Sequence, residues 1–376
     1  MNVGLFFTYD ISLSEWDRLK IIDRELKFYN EIVKGSPDIN YTFITYGDDE
    51  DLKYNNKYPN IEIFPIYLKI KKPENKFIRL INSFLIPFKI KKTTAHLDIY
   101  KTNQLFGSWV PIILKFLNKK PLIIRTGFDL LKFSVKENKN ILKIFSFYLL
   151  TQISLLSSDK YFVSSIEDKE FISKYFLLMN KSKLQLRPNW ISSAEKIDLE
   201  NRENKKILSV GRLEKQKNYF NLISSLKNSE YSLDIVGEGS LKEELIAHAK
   251  KNNVKVNFLG LVHHKKLLNL YREYKFFVMA SNYEGHPKSL IEAMSRGCIP
   301  VVNKIKNVEN IIFHKKNGIL YNANSENLIN FIKDINLDKK LSLNLANEAI
   351  KFVNDNYSIS KEVQKEIAAY EDLIKN

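Results

Sequence analysis

The chain has 376 residues, 44% of them apolar, with 24 Phe, 19 Tyr, one cysteine and a formal net charge of +16. That length suits two domains rather than one, and the apolar content excludes an intrinsically disordered chain. Lone Cys298 excludes an intramolecular disulfide framework, and no uninterrupted run of about 18 apolar residues reads as a membrane span.

The opening MNVGLFFTYDISLSEW reads as a strand running into a loop, without the basic, apolar and small-residue regions of a signal peptide. With one cysteine, this predicts a cytoplasmic protein in a reducing compartment. Val3–Thr8, Tyr41–Tyr46, Ile61–Ile66, Asp98–Lys101, Leu122–Arg125 and Lys160–Ser164 are predicted strands, alternating with helical spacing such as Trp16–Val33 and Trp109–Leu117. Between Lys69 and Lys92 seven lysines and Arg79 face one acid, Glu74, and interleave with Phe77, Ile81, Phe84 and Phe88. Plain solvated surface and attraction to an anionic membrane at the inner face of the cell membrane both fit this stretch. Nucleic acid is not an expected partner, because no helix-turn-helix, zinc-knuckle or ribonucleoprotein signature accompanies the charge. The run Ile141–Leu156 contains Lys143, Ser146, Thr151, Gln152 and Ser154, and reads as a buried amphipathic helix.

Arg187-Pro188-Asn189-Trp190 closes an N-terminal domain over 1–190, and a polar stretch through Asn204 reads as a linker. The alternation then restarts. Strands are predicted at Lys206–Val210, Ser232–Val236, Lys255–Leu259, Phe276–Ala280 and Ile299–Asn303. Helices fall at Tyr219–Leu226, Leu241–Asn252, Lys265–Tyr274 and Lys288–Arg296. This gives a second domain over 203–357. An amphipathic helix over 358–376, with Val363, Ile367, Tyr370 and Ile374 on one face, is expected to pack back on the first domain. The fold class is α/β: two Rossmann-like doubly wound domains, which bind ligands where loops and helix N-termini gather at the carboxyl ends of the strands.

Three loops of the second half each follow a strand end and so share one rim. In the first, Gly211 permits a sharp exit and Arg212 and Lys217 suit a diphosphate, although such residues are commonly just solvated. In the second, Gly237-Glu238-Gly239 is either an anion-binding turn or a plain tight turn, and lacks the third glycine of a dinucleotide fingerprint. In the third, Glu284 precedes Gly285 and Pro287, and Ser289 and Leu290 then offer free amides at a helix N-terminus. Glu292 lies one turn inside that helix. Two carboxylates flanking a phosphate pocket can accept hydrogen bonds from sugar hydroxyls; the bland alternative is a cap and a surface charge.

The third loop resembles the E-x7-E signature, E-G-x-P-x-S-L-x-E-A-M-x-x-G, of retaining GT-B glycosyltransferases of family 4. The segments V-G-R-L-x-x-x-K at 210–217, V-G-E-G-x-L at 236–241, F-L-G at 258–260 and the Asn317-Gly318 turn fall in the family's order. The resemblance is close over roughly 203–325 and looser before it. It implies a hexosyltransferase that moves sugar from a nucleoside-diphosphate sugar to a glycan or lipid-linked acceptor, in polysaccharide or lipopolysaccharide assembly.

By the same resemblance, Arg212 and Lys217 neutralise the departing diphosphate, Ser289 and Leu290 hold the distal phosphate, Glu292 binds ribose and Glu284 the transferred sugar. Gly211, Gly237, Glu238, Val262, Gly285 and Pro287 complete the donor site. No cofactor and no metal are expected, since by the resemblance the cationic side chains and the helix dipole take the place of a metal. A front-face reaction is implied, the departing phosphate oxygen taking the acceptor proton.

Two departures stand out. Thr8-Tyr9-Asp10-Ile11-Ser12 replaces the family's glycine pair after the first strand. Arg125-Thr126-Gly127-Phe128-Asp129 stands where many members place a helpful histidine, so Arg125 and Asp129 are candidate contacts to acceptor or sugar. The pair His263-His264 is read as surface or base-edge contact rather than a metal site. A GT-B scaffold also serves epimerases, and a non-catalytic sugar-nucleotide binder is a further alternative.

Overall fold

A computed structural model describes the chain except for residues 56, 59, 128–129, 193–198 and 376. It divides into two units, Met1–Pro188 with Ser360–Asn376, and Asn189–Ile359.

The first unit holds seven parallel strands: β1 (Asn2–Phe6), β2 (Asn40–Thr45), β3 (Ile61–Pro65), β4 (Ile99–Thr102), β5 (Leu122–Thr126), β6 (Lys160–Val163) and β7 (Leu184–Leu186). Their order is β3-β2-β1-β4-β5-β6-β7, with Phe6 opposite Ile44 on β2 and Thr102 on β4. Parallel strands are covered on both faces, so they read as continuous apolar runs. Phe6, Ile44, Tyr100 and Ile124 enter one core with Trp109, Leu155 and Ile172 from the covering helices.

The opposite face includes the buried Lys101, whose Nζ lies 2.5 Å from Oε1 of Glu366 on the last helix, Ile359–Lys375. Beside this ion pair, the Tyr41 and Tyr370 hydroxyls lie 3.1 Å apart. Burial alone raises the Glu366 carboxyl, but the Lys101, Arg125 and Arg187 charges outweigh it and hold Glu366 below the usual range.

The second unit holds β8 (Glu203–Val210), β9 (Ser232–Val236), β10 (Val256–Gly260), β11 (Tyr274–Met279), β12 (Ile299–Asn303) and β13 (Ile319–Tyr321), all parallel, in the order β10-β9-β8-β11-β12-β13. All six residues of the central β11 are buried. Both units are therefore doubly wound α/β sheets.

Three differences from the sequence reading have a clear physical reason. The single helix over Trp16–Val33 is two, Leu13–Arg18 and Ile22–Gly35, because Lys20 adopts φ 60° and ends the first. The strands β7 and β13 were not foreseen, and three residues are too few to display a period. The helix Ile141–Ser157 is not buried: Thr151, Ser154 and Leu155 face inward while Ile141, Leu142, Phe145, Leu149 and Ile153 are exposed. Its packed side is mixed: Ile144, Phe147, Leu150 and Leu155 lie on the core, the Ser154 and Ser108 hydroxyls meet at 3.0 Å, and Thr151 Oγ1 satisfies itself on Phe147 O at 2.8 Å.

Candidate functional site

The loops after β8, β9 and β10 are stitched together by backbone hydrogen bonds. Gly211 N donates to Val236 O at 2.9 Å, Leu213 N to Glu238 O at 3.0 Å and Gly237 N to Gly260 O at 2.9 Å. Close backbone approach requires glycine here: at Gly237 (φ 142°) a Cβ would lie 2.0 Å from Gly211 O. The second loop is tied further by Ser240, whose amide and hydroxyl both donate to Glu214, at 3.0 and 2.9 Å.

Across the sheet, the first and third loops meet through their charges. Lys217 Nζ lies 2.5 Å from Glu284 Oε1, both largely shielded from water. Gln216 Nε2 donates to Tyr283 O at 2.9 Å, and Asn282 N to Gln216 O at 2.9 Å. Asn307 Nδ2 donates to Glu284 O at 2.6 Å, and Asn189 Nδ2 to His286 O at 2.6 Å. These buried amides fix the course of the Glu284–Pro287 loop, so that Gly285 and Pro287 are packed inside it.

Pro287 is the N-cap of the helix Lys288–Ser295 and provides no side-chain cap; the first intrahelical bond runs from Ile291 N to Pro287 O at 3.4 Å. The Ser289 and Leu290 amides therefore lie ahead of the ladder, at the positive end of the helix dipole. Glu292 is buried in this helix, and His264 Nε2 donates to its Oε1 at 3.0 Å.

Arg212 is exposed, and no ion pair to it is found among the described residues. Glu238, by contrast, pairs with Lys242 Nζ at 3.0 Å while both remain accessible. Val262 is half-buried just beyond β10. The site thus presents a cation bound to a carboxylate, an exposed guanidinium, free helix amides and a second carboxylate held from behind.

The structure gathers Gly211, Arg212, Lys217, Gly237, Glu238, Val262, Glu284, Gly285, Pro287, Ser289, Leu290 and Glu292 on elements of the second unit. Arg125 belongs to the first unit, half-buried on β5, where its charge acts on Glu366. Asp129 lies outside the described residues. Sequence reasoning missed Gln216, Asn307 and the role of His264. Histidine at 264 is a buried support for Glu292 rather than a surface residue, and Glu292 lies 28 positions further along the chain on another helix, so no local pattern signals the pairing. Asn189 did have a signal, as the third residue of the Arg187–Trp190 landmark.

Residues 192–352 match the family model described as Glycosyl transferases group 1. Two Campylobacter jejuni proteins are similar. One is N-acetylgalactosamine-N,N'-diacetylbacillosaminyl-diphospho-undecaprenol 4-alpha-N-acetylgalactosaminyltransferase, 33% identical over 39% of this chain and 41% of that protein. The other is the alpha-1,4-N-acetyl-D-galactosaminyltransferase acting on GalNAc-alpha-(1->4)-GalNAc-alpha-(1->3)-diNAcBac-PP-undecaprenol, 28% identical over 75% of this chain and 72% of that protein. Among solved structures, Anabaena HepE in complex with UDP and glucose superposes with a TM-score of 0.76 at 14% identity, over 99% of this chain and 100% of that one. The chain has the GT-B fold, and residues 192–352 form a group 1 glycosyl transferase domain.

Proposed function

We propose that the protein is a retaining transferase that moves a hexose-type sugar from a nucleoside-diphosphate sugar to a lipid-linked glycan in the assembly of a cell-surface polysaccharide. The observation that carries the donor assignment is the Lys217–Glu284 pair at 2.5 Å, with the exposed Arg212 on the same loop as Lys217 and the uncapped helix start at Pro287 on the loop of Glu284. A donor diphosphate competes with Glu284 for Lys217, and the sugar hydroxyls then take the carboxylate that Lys217 releases. Arg212, Lys217 and the Ser289 and Leu290 amides offset the charge that develops on the leaving diphosphate. Glu292, held by His264, accepts from the ribose hydroxyls. The departing phosphate oxygen receives the acceptor proton, and no divalent metal is needed because the cations and the helix dipole serve that charge. The lipid-linked acceptor is supported by the two Campylobacter relatives, whose own names carry an undecaprenol-linked glycan.

The test is a thermal-shift screen against UDP, GDP, ADP and CMP with EDTA present. Stabilisation by one of them, lost in Arg212→Ala and Glu292→Ala, is the expected outcome. Absence of any shift, or a shift that appears only with added metal, overturns the donor-site reading.

A further inference from the structure

We infer that the first unit carries a docking face for an anionic lipid surface, formed by the segment 69–92 together with the helix Ile141–Ser157. The inference rests on the lipid-linked acceptor for its biological sense, but the face itself stands on exposure, packing and charge.

The helix Lys76–Ser83 and its continuation point their apolar residues outward: Phe77 is 69% exposed, and Ile81, Phe84, Leu85 and Phe88 are exposed with it. The helix Ile141–Ser157 does the same, with Leu142 74% exposed. The two helices are joined beneath their exposed faces by aromatic contacts that pass through the buried Trp109. The Phe84 ring stacks on Trp109 at 5.3 Å, Trp109 meets Phe106 at 5.3 Å, and Phe106 meets Phe147 at 6.2 Å. Tyr148 stacks on the buried Phe176 at 5.1 Å, and the two residues that follow it, Leu177 and Leu178, are exposed. Large apolar side chains exposed in such number on two neighbouring helices mark an interaction surface.

Charge selects the partner. Lys71, Lys72, Lys76, Lys89, Lys91 and Lys92 are all exposed around the band, with Glu74 the one acid of the segment. A second copy would bring the same lysines against themselves, whereas anionic headgroups complement them. Interleaved lysines and aromatic residues on short helices are the arrangement of an element that lies in the interface. Spanning is not the alternative, since among the described residues no helix is long and apolar enough to cross a membrane.

The face is also rigidly mounted. Arg79 Nη1 donates to both oxygens of Asp10, at 2.7 and 2.9 Å, and Arg79 Nε to Pro73 O at 3.0 Å. Trp109 Nε1 donates to Ser83 Oγ at 2.9 Å from below. Asp10 belongs to the loop leaving β1, so the outward helix is braced on the carboxyl end of the sheet.

Vesicle co-sedimentation tests this with phosphatidylcholine alone and with phosphatidylglycerol added, at low and high salt. The full chain is expected to bind the anionic vesicles, and binding should fall by at least about tenfold in Phe77→Asp/Leu142→Asp and in Lys71→Glu/Lys72→Glu/Lys76→Glu. High salt should weaken the wild type markedly. No binding at low salt, or variants that bind like the wild type, overturns the inference. So does self-association in analytical ultracentrifugation that Phe77→Asp/Leu142→Asp abolishes, which would assign the face to a second copy. Both variants should keep the wild-type melting temperature and nucleotide-induced shift. Vesicle binding in a protein that shows no nucleotide shift supports this face while refuting the donor site.

Discussion

Substituting Glu366 by Gln removes one charge from the interior of the first unit and leaves its partner behind. Lys101 Nζ stands 2.5 Å from the carboxylate, and both residues are almost wholly shielded from water. Breaking a buried ion pair by removing one partner costs about 3–5 kcal/mol, because the remaining charge is stranded. Arg125 and Arg187 act on the same carboxylate, so the variant strands positive charge from three side chains. The rings of Phe28 and Tyr29, with their centroids 5.6 and 5.3 Å from Lys101 Nζ, retain part of the attraction and favour the lower end of that range. For a unit of this size each kcal/mol moves the melting temperature by about 2–4 °C, so Glu366→Gln should melt roughly 6–12 °C lower at neutral pH, read by calorimetry.

The pH dependence follows from the direction of the shift. The folded carboxyl lies below its ordinary value, so its stabilisation is complete above that value and is lost as pH falls through the folded one. The wild type and the Gln variant should therefore converge in acid, below the usual carboxylate range. A second substitution, Lys101→Met on the Gln background, should raise the melting temperature again by removing the stranded ammonium. A Gln variant that melts within 2 °C of the wild type at neutral pH, at an effect expected to be roughly three times larger or more, refutes the reasoning. So does a difference that persists undiminished in acid.

Lys217→Met should weaken nucleoside-diphosphate binding by about 10- to 150-fold, the range of a charged hydrogen bond, whereas Glu284→Gln should largely spare binding and depress turnover. Calorimetric titration and a transfer assay separate the two, and equal effects on both measures would contradict the assigned roles. His264→Ala removes the 3.0 Å hydrogen bond to Glu292 and should raise the nucleotide Kd about fivefold, with partial recovery in His264→Gln, whose amide can still donate. An unchanged Kd would show that Glu292 is held by its other contacts. Burial pushes the Cys298 thiol up to about 12, so a thiol reagent at mildly alkaline pH should label the protein only once denaturant is added. Rapid labelling of the native protein would contradict that burial.

The strands β8 to β12 and the helices between them were legible to within a few residues because each is an apolar run bounded by glycine, asparagine or a charged turn. The three loops could be placed on one rim for the same reason: in a parallel sheet every loop after a strand end lies at one edge. What those loops do to each other was not legible. The 2.5 Å approach of Lys217 to Glu284, the support of Glu284 by Asn307 and of Glu292 by His264 all join residues at least 23 positions apart. No local pattern records such a meeting.

The helix at Ile141–Ser157 shows the limit most clearly. Its composition gave a buried helix, since apolar residues are ordinarily inside. Which side of a helix packs is decided by what lies across from it, and here Ser108 receives Ser154 while Ile141, Leu142, Phe145, Leu149 and Ile153 are left outward. By itself the sequence determined the two α/β sheets, the rim of the donor loops and the excess of lysine between 69 and 92, because these depend on period, spacing and composition. Only the tertiary structure decided that Glu366 neutralises Lys101 within the first unit and that the aromatic side chains near those lysines join the outward face of a second helix. Those outcomes depend on distances between segments remote in the chain, which packing sets and sequence spacing does not.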